Sequence, residues 1–184
     1  MRLIILDRDG VINEHSDAHI KSPAEWVPLP GSLEAIARLN HGGWRVVVAT
    51  NQSGLANGLY DIDALMRIHE KMQRAVAQCG GSIDAVFFCP HGPEDHCRCR
   101  KPKPGLLEDI GMRLRADLRG VPTVGDSRQD LEAAVHVGAL PILVRTGLGQ
   151  QTIAQGTGLL EVPVFDDLAA VADALLDGEL AATA

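Results

Sequence analysis

Apolar runs and helix-like patterns alternate along the whole chain. Short continuous apolar runs at residues 3–6, 45–50, 85–88, 122–125, 141–144 and 164–165 are typical of strands that are covered on both faces of a sheet. Between them, apolar residues at helical spacing predict helices over residues 32–40, 61–79, 104–115, 131–137 and 168–176. Ser32 and Asp61 are predicted N-caps.

This alternation predicts an α/β fold with a doubly wound, mostly parallel sheet, because strand–helix–strand units require crossover connections. No internal repeat, low-complexity tract or linker divides the sequence. We therefore expect a single domain over residues 1–184, with a cysteine-containing loop inserted at about residues 89–101. In such sheets, ligands bind beyond the carboxyl ends of the strands. The polar residues that follow each apolar run are thus the candidates for chemistry.

Four of the predicted strands are followed by polar residues of complementary types. These segments are Asp7-Arg8-Asp9-Gly10, Thr50-Asn51-Gln52-Ser53-Gly54, Arg100-Lys101 after the cysteines, and Gly125-Asp126-Ser127 with Asp130 just beyond. Each segment alone could be an ordinary turn, a helix cap or a solvated surface. Together they would bring carboxylates, a hydroxyl, amides and a lysine to one edge of the sheet.

These segments resemble the four motifs of the haloacid dehalogenase (HAD) superfamily, which occur here in the same order. The motifs are Asp-x-Asp-Gly from Asp7, the threonine Thr50, the lysine Lys101, and Gly-Asp at Gly125-Asp126. The resemblance is strong over about residues 1–150 and weak beyond them. It implies a HAD-like, Rossmann-type fold and phosphatase activity. Because no long insertion separates the motifs, the large cap domain of many relatives is expected to be absent.

The resemblance also implies a role for each motif residue. Asp7 would be the nucleophile that forms an aspartyl-phosphate, and Asp9 the general acid and base, which requires a raised pKa. Thr50 and Lys101 would stabilise the transferring phosphoryl group. Oxygen ligands for Mg²⁺ would come from Asp7, Asp126 and Asp9, the last through a backbone carbonyl. Asp130 could hold Lys101 or a metal-bound water, or could be a surface carboxylate.

Substrate contacts are expected from loops at the same edge of the sheet. The candidates are Asn51, Gln52, Ser53, Arg100 and Lys101, and the family resemblance implies two further contacts, Ser127 and the segment His15-Ser16-Asp17-Ala18. Arg100 adjoins a catalytic lysine, so we expect it to contact the substrate rather than only solvent.

The cysteine-containing segment predicts a structural zinc site. Cys89, His91, Cys97 and Cys99 offer three thiolates and an imidazole, a set suited to closed tetrahedral Zn²⁺. His96 is an alternative nitrogen ligand, although His91 pairs better with Cys89 in sequence. The zinc would fix the loop that leads into Arg100 and Lys101. Cys79 falls at an apolar helical position and is expected in the core.

The zinc loop resembles two related groups of the superfamily, the D-glycero-D-manno-heptose 1,7-bisphosphate 7-phosphatases and the histidinol-phosphate phosphatases. The segments at residues 50–58, 103–105 and 144–147 look like the heptose group. The length of the zinc loop is nearer the histidinol group, so both substrates remain open. The heptose group implies Mg²⁺-dependent removal of the 7-phosphate in the synthesis of nucleotide-activated heptose for lipopolysaccharide. Arg100 would then recognise the second phosphate or the sugar.

Composition and charge restrict the remaining classes. The formal net charge is −7, which argues against non-specific nucleic-acid binding, and aromatic residues make up only 3% of the chain. A non-enzymatic zinc-binding interaction module is therefore a weaker alternative. No apolar run approaches the roughly 20 residues that span a bilayer, and the first apolar stretch is short for a signal peptide. We expect a cytoplasmic monomer that acts on a small phosphorylated sugar without nucleic-acid or membrane partners.

Overall fold

In the computed structural model, which describes residues 2–159 and 161–180, six parallel strands form one sheet in the order β3-β2-β1-β4-β5-β6. The strands are β1 (Arg2–Leu6), β2 (Trp44–Asn51), β3 (Ala85–Cys89), β4 (Pro122–Gly125), β5 (Leu140–Val144) and β6 (Val164–Phe165). The helices are α1 (Ser32–His41), α2 (Ile62–Gln78), α3 (Gly105–Leu114), α4 (Arg128–His136), α5 (Gly149–Gln155) and α6 (Leu168–Leu176). The predicted α/β fold is confirmed, and every pairing between these strands is parallel.

The continuous apolar character of the strands follows from burial on both faces of the sheet. In β1, Ile4 and Leu6 face a cluster that includes residues of α1, α2 and α6, whereas Leu3 and Ile5 face residues of α3 and α4. All four side chains are 3% exposed or less. Because side chains alternate along a strand, each apolar run supplies both halves of the core.

Two of the predicted helix details differ from the structure. Ser32 is the first residue of α1, and Gly31, with a φ of 76°, occupies the N-cap. The Ser32 hydroxyl instead donates to the carbonyls of Ile12 (2.6 Å) and Leu29 (2.8 Å), which ties the long β1–α1 loop to the core. Cys79 lies at the C-cap of α2, where the helix ends, and is only half-buried. The Asp61 N-cap is confirmed, since its side chain accepts from the backbone of Ala64 at 2.8 Å.

In the part of the chain that the structure describes, two loops and no cap domain lie at the sheet edge where the sequence places the candidate site. Among the described residues, β1 and α1 are joined by residues 7–31, and β3 and α3 by residues 90–104, each with one short 3₁₀ turn. Both loops extend from carboxyl ends of strands. The described helices lack the combination of length and apolar character that crossing a membrane requires.

Candidate active site

Three carboxylates meet at the carboxyl ends of β1 and β4. Oxygens of Asp7, Asp126 and Asp130 all lie within 4.8 Å of one another. Asp126 and Asp130 are 2% and 3% exposed, and Asp7 is partly open to a cavity. The sequence analysis predicted Asp7 and Asp126 as metal ligands.

Two glycines make room for the Asp126 carboxylate. A Cβ at Gly10 would lie 1.9 Å from Asp126 Oδ2, and one at Gly147 would lie 2.1 Å from the same atom. Both glycines also have a positive φ, of 82° and 57°. The backbone N–H of Leu148 donates to Asp126 Oδ2 at 2.8 Å. The β1–α1 and β5–α5 loops therefore approach the carboxylate with their backbones and fix its position.

The three carboxylates Asp7, Asp126 and Asp130 form an acidic centre whose negative charge is not balanced by the nearby Lys101. Burial raises the pKa of Asp7 to about 7, the negative charge of Asp130 acts in the same direction, and Lys101 opposes them. Burial and the charges of Asp130 and Asp7 raise the pKa of Asp126 to about 8. A divalent cation would relieve this repulsion, and clustered carboxylate oxygens are the hard ligands that Mg²⁺ prefers. The residues present thus fit the predicted magnesium ion.

The Lys101 side chain extends among the carboxylates, and its ammonium group, backbone N–H and backbone carbonyl all form hydrogen bonds. Its Nζ donates to the carbonyl of Ala49 at 2.7 Å and to Asp130 Oδ1 at 2.5 Å, and lies 3.1 Å from Asp7 Oδ1. Burial alone would lower the pKa of Lys101, but Asp130 and Asp7 raise it above its ordinary value. The Asn51 side chain exchanges two 3.1 Å hydrogen bonds with the Lys101 backbone. Asn51 therefore positions the lysine.

Asp130 proves to be a buried partner of Lys101 rather than a surface carboxylate. Its second oxygen, Oδ2, accepts from the backbone N–H of Ser127 at 3.1 Å and from the Ser127 hydroxyl at 2.6 Å. Both oxygens are therefore engaged within the chain. Of the alternatives left open by the sequence, the contacts favour the one in which Asp130 orients the lysine.

The expected raised pKa of Asp9 is not found. Burial would raise it, but the Arg8 guanidinium and a hydrogen bond from Asn13 hold the pKa of Asp9 below its ordinary value. Arg8 is fully buried and contacts both carboxylate oxygens, at 2.8 and 3.1 Å, while Asn13 Nδ2 donates at 2.8 Å. A lowered pKa leaves Asp9 ionised at neutral pH. The prediction was wrong because residue order does not show that Arg8 turns inward toward Asp9.

The four predicted zinc ligands converge on one point. The contacts Cys89 Sγ–Cys97 Sγ, Cys89 Sγ–His91 Nδ1 and His91 Nδ1–Cys99 Sγ measure 3.7, 3.6 and 3.3 Å. The edges of a tetrahedron around zinc with bonds of about 2.3 Å to sulfur would be roughly 3.7 Å. The contacts, including Cys89 Sγ–Cys99 Sγ at 3.3 Å, lie within about 0.4 Å of that length, so the cluster can hold the ion. His96 is exposed on the following turn and outside this cluster. This geometry favours His91 over His96 as the nitrogen ligand.

The zinc cluster adjoins the residues it was expected to position. The backbone N–H of Arg100 donates to Cys97 Sγ at 3.3 Å, and the Arg100 guanidinium donates to the carbonyl of His91 at 3.2 Å. Arg100 and Lys101 thus follow the zinc cluster directly in sequence and line the same cavity as the three carboxylates.

A cavity of about 500 Å³ opens above the carboxylates. It is lined by all but one of the predicted site residues outside the zinc cluster, namely Asp7, Asp9, His15, Ser16, Asp17, Thr50, Asn51, Gln52, Ser53, Arg100, Lys101, Asp126 and Ser127. The exception is Ala18, which is exposed and whose backbone N–H donates to Ser16 Oγ at 3.2 Å.

Further lining residues were not predicted. They are His19, Ile20, Arg128, Gln129, Leu148, Gln151, Thr152, Gln155 and Gly156, in addition to Asp130, which the sequence analysis had considered. Those from residue 148 onward belong to α5 and its ends, a helix that the sequence analysis missed. Polar residues after the fifth apolar run, at the same sheet edge, were the signal that could have identified them.

Comparisons with known proteins give a consistent assignment. A family model described as HAD-hydrolase-like matches residues 98–171. The D-glycero-β-D-manno-heptose-1,7-bisphosphate 7-phosphatase of Bordetella bronchiseptica is 62% identical over 96% of this chain and 98% of that protein. The Pseudomonas putida protein of the same name is 52% identical over 96% and 100%. The crystal structure of the B. bronchiseptica D,D-heptose 1,7-bisphosphate phosphatase, complexed with magnesium and phosphate, matches with a TM-score of 0.94, 61% identity, and coverage of 96% and 99%.

Proposed function

We propose that this chain, which belongs to the D-glycero-β-D-manno-heptose-1,7-bisphosphate 7-phosphatase family of HAD-like hydrolases, removes the 7-phosphate from that sugar bisphosphate. The observation that carries the proposal is the convergence of Asp7, Thr50, Lys101 and Asp126 on one cavity. The relatives named above support the heptose substrate rather than histidinol phosphate. The product would be a heptose 1-phosphate, as nucleotide-activated heptose synthesis requires.

The first step is transfer of the phosphoryl group to Asp7. A carboxylate oxygen of Asp7 attacks phosphorus, and the bond between phosphorus and the sugar oxygen breaks while Asp9 donates its proton to that oxygen. The products are an aspartyl-phosphate, the free alcohol and an ionised Asp9. Asp9 is ionised in the free protein, and the negative charge of an arriving phosphate favours its protonated form.

Two donors stabilise the phosphoryl oxygens. Lys101 already lies 3.1 Å from Asp7, so its ammonium is positioned beside the attacking carboxylate. The Thr50 oxygen accepts from Gln52 Nε2 at 2.9 Å, which leaves its own hydroxyl hydrogen available for the phosphoryl group. Such positioned charge and hydrogen bonding supply most of what phosphoryl transfer requires.

The second step regenerates Asp7. The ionised Asp9 takes a proton from a water molecule whose oxygen attacks phosphorus, and the bond between phosphorus and the Asp7 oxygen breaks. Inorganic phosphate leaves, with Asp7 ionised and Asp9 protonated. The same side chain thus serves as acid and then as base.

Both metals have assigned ligands. Asp7, Asp126 and a backbone carbonyl such as that of Asp9 would hold Mg²⁺, whose charge offsets the repulsion between the carboxylates and phosphate. Cys89, His91, Cys97 and Cys99 would hold Zn²⁺, which stabilises the loop that carries Arg100 and Lys101.

The sugar and the second phosphate would occupy the outer part of the cavity. Arg100 is the proposed contact for the 1-phosphate, because a guanidinium binds phosphate oxygens in pairs. Ser127 and the loop side chains of His15, Ser16 and Asp17 line the same space and are proposed to contact the sugar. Three of the four cysteines are assigned to zinc rather than to disulfides, which fits a reducing compartment such as the cytoplasm. A monomer without nucleic-acid or membrane partners remains our prediction.

The substrate is tested by measuring kcat/KM on heptose 1,7-bisphosphate and on histidinol phosphate with Mg²⁺ present. We expect the heptose to be preferred by at least about 100-fold, with release of one phosphate per sugar. Asp7→Asn should abolish turnover, whereas Asp117→Asn, at an exposed ion pair with Arg119, should not. A preference for histidinol phosphate would overturn the substrate assignment, and activity in Asp7→Asn would overturn the mechanism.

A further inference from the structure

The Asp9 carboxylate is enclosed on two sides and open on a third. Arg8 and Asn13 bind it from the β1–α1 loop, and Gln52 Nε2 donates to Asp9 Oδ2 at 3.1 Å from the end of β2. The Asp9 side chain keeps 24% of its surface exposed and lines the cavity. In the proposed mechanism the Asp9 carboxyl group must reach the leaving-group oxygen. It is therefore held by Arg8, Asn13 and Gln52, and none of these three needs to contact the substrate to do so.

The orientation of the Gln52 amide decides whether it can hold Asp9. Only its nitrogen can donate to a carboxylate, and reversing the amide would place two acceptor oxygens against each other. The Tyr60 hydroxyl lies 2.6 Å from Gln52 Oε1 and must donate to it. This leaves Nε2 directed at Asp9 and at Thr50 Oγ1, 2.9 Å away. Gln52 and Tyr60 are 3% and 8% exposed, so water competes little for these bonds.

Tyr60 is itself held rigidly. Its ring packs with Leu65 and the partly buried Leu55 and Phe88. A Cβ at Gly54 would lie 2.2 Å from the ring, so the backbone at Gly54 and the tyrosine are in close contact. The next residue, Asp61, caps α2. Tyr60 thereby connects the start of a long helix to Gln52.

The opposite side of Asp9 is fixed by a buried cation. Arg8 Nη1 lies 3.3 Å from His69 Nε2, and because arginine can only donate, His69 must be the acceptor and neutral. Burial lowers the pKa of His69 to about 3, and the charge of Arg8 acts in the same direction. Arg8 therefore keeps Asp9 as its charged partner, and Gln52 adds a hydrogen bond to Asp9 Oδ2 from the end of β2.

We propose that Tyr60 and Gln52 form a relay of positioning residues that aims the Asp9 carboxyl group at the leaving-group oxygen. The inference rests on the proposed function, in which Asp9 protonates that oxygen. It assigns to Gln52 the positioning of Asp9, where the sequence had suggested only a substrate contact. Tyr60 acts through Gln52 and touches neither the substrate nor Asp9.

The test compares two substrates that differ in their need for a proton. An alkyl phosphate such as the sugar phosphate needs leaving-group protonation, whereas p-nitrophenyl phosphate releases a stable anion without it. General acid catalysis contributes about 100- to 10,000-fold, so Gln52→Met should lower kcat/KM on the alkyl phosphate by roughly 10- to 100-fold. On p-nitrophenyl phosphate, the loss should be within about 3-fold. Tyr60→Phe should show the same pattern with a smaller loss, and the double variant should be no worse than Gln52→Met.

Equal losses on both substrates would overturn the relay, as would additive losses in the double variant. Asp9→Asn gives the upper limit of the selective loss, and thermal melting of each variant confirms that it is folded. If the wild-type protein hydrolyses other alkyl phosphates but not the heptose bisphosphate, the proposed substrate fails. The leaving-group comparison then still decides the relay, with glycerol phosphate as the alkyl substrate.

Discussion

Replacing Gly147 with alanine tests how closely the backbone encloses Asp126. The new Cβ would lie 2.1 Å from Asp126 Oδ2 and 2.5 Å from the Cα of Gly10, whereas real Cβ contacts essentially never fall below 3.0 Å. The carboxylate or the loop must therefore shift by about 0.9 Å, the difference between 3.0 and 2.1 Å. Neither can yield easily, because the carboxylate is bound by Leu148 N–H and the second neighbour is backbone.

The size of this shift decides what the variant loses. Mg²⁺ demands near-ideal octahedral geometry, and a competent site tolerates about 0.2 Å in its ligand distances. We therefore expect the Mg²⁺ concentration for half-maximal activity to rise by at least about 10-fold, the low end for disturbed metal sites. Alanine at a φ of 57° also costs about 1 kcal/mol of folding stability, independently of the metal.

The control variant Gly43→Ala separates the effect on Mg²⁺ dependence from the effect on folding stability. Gly43 has a φ of 83°, but its Cβ would have nothing within 4 Å. It should share the stability loss of about 1 kcal/mol and leave the Mg²⁺ dependence unchanged. The assay is a Mg²⁺ titration of kcat for both variants, with thermal melting alongside. Equal Mg²⁺ dependence in both variants would refute the reasoning about Asp126.

The other predictions concern the zinc site, the second phosphate and pH. Cys97→Ser should remove zinc, as measured by elemental analysis. It should also lower kcat/KM by about 10- to 100-fold, because the loop that carries Lys101 loses its support. Cys79→Ser, outside the cluster, should keep both the zinc and the wild-type kcat/KM. Zinc retained in Cys97→Ser would contradict the assigned ligand set. Arg100→Ala should lose about 10- to 100-fold more kcat/KM on the bisphosphate than on the corresponding 7-monophosphate, and the exposed neighbour Arg98→Ala should not discriminate; equal losses on the two substrates would exclude the 1-phosphate contact. The pKa of Asp7 and of Asp126 rises from 3.8 to about 7 and about 8 in the folded, metal-free protein, so the stabilisation from their protonated forms is full below pH 3.8 and is lost as pH rises through 8. The melting temperature of the metal-free wild type should therefore fall more than that of Asp126→Asn between pH 6 and 9, and parallel curves would contradict the raised pKa of Asp126.

The strands and most helices could be predicted because their apolar periodicity is strong. Burial on both faces produces the continuous runs at β1, β2 and β4, and these place Asp7, Thr50 and Asp126 at strand ends. Helix α5 was missed because its segment of seven residues is largely polar and has no apolar stripe. Gln151 and Gln155 were missed with it.

The electrostatics of the site could not be read from residue order. The low pKa of Asp9 depends on Arg8 folding back beneath it, and the adjacent position in sequence does not determine that direction. Asp130 contacts Lys101 only because the β3–α3 loop and α4 bring residues 29 positions apart together. The Tyr60–Gln52 contact likewise depends on the turn at Gly54. Motifs locate the chemical groups, and tertiary contacts set their charge and direction.

In the proposed mechanism the phosphoryl group passes through Asp7. The stereochemical course at phosphorus reports on this transfer and can be measured with a substrate that carries a chiral, isotopically labelled phosphoryl group. Two successive in-line displacements, first by Asp7 and then by water, predict net retention of configuration. Net inversion would mean that water attacks the substrate directly, and would contradict the account.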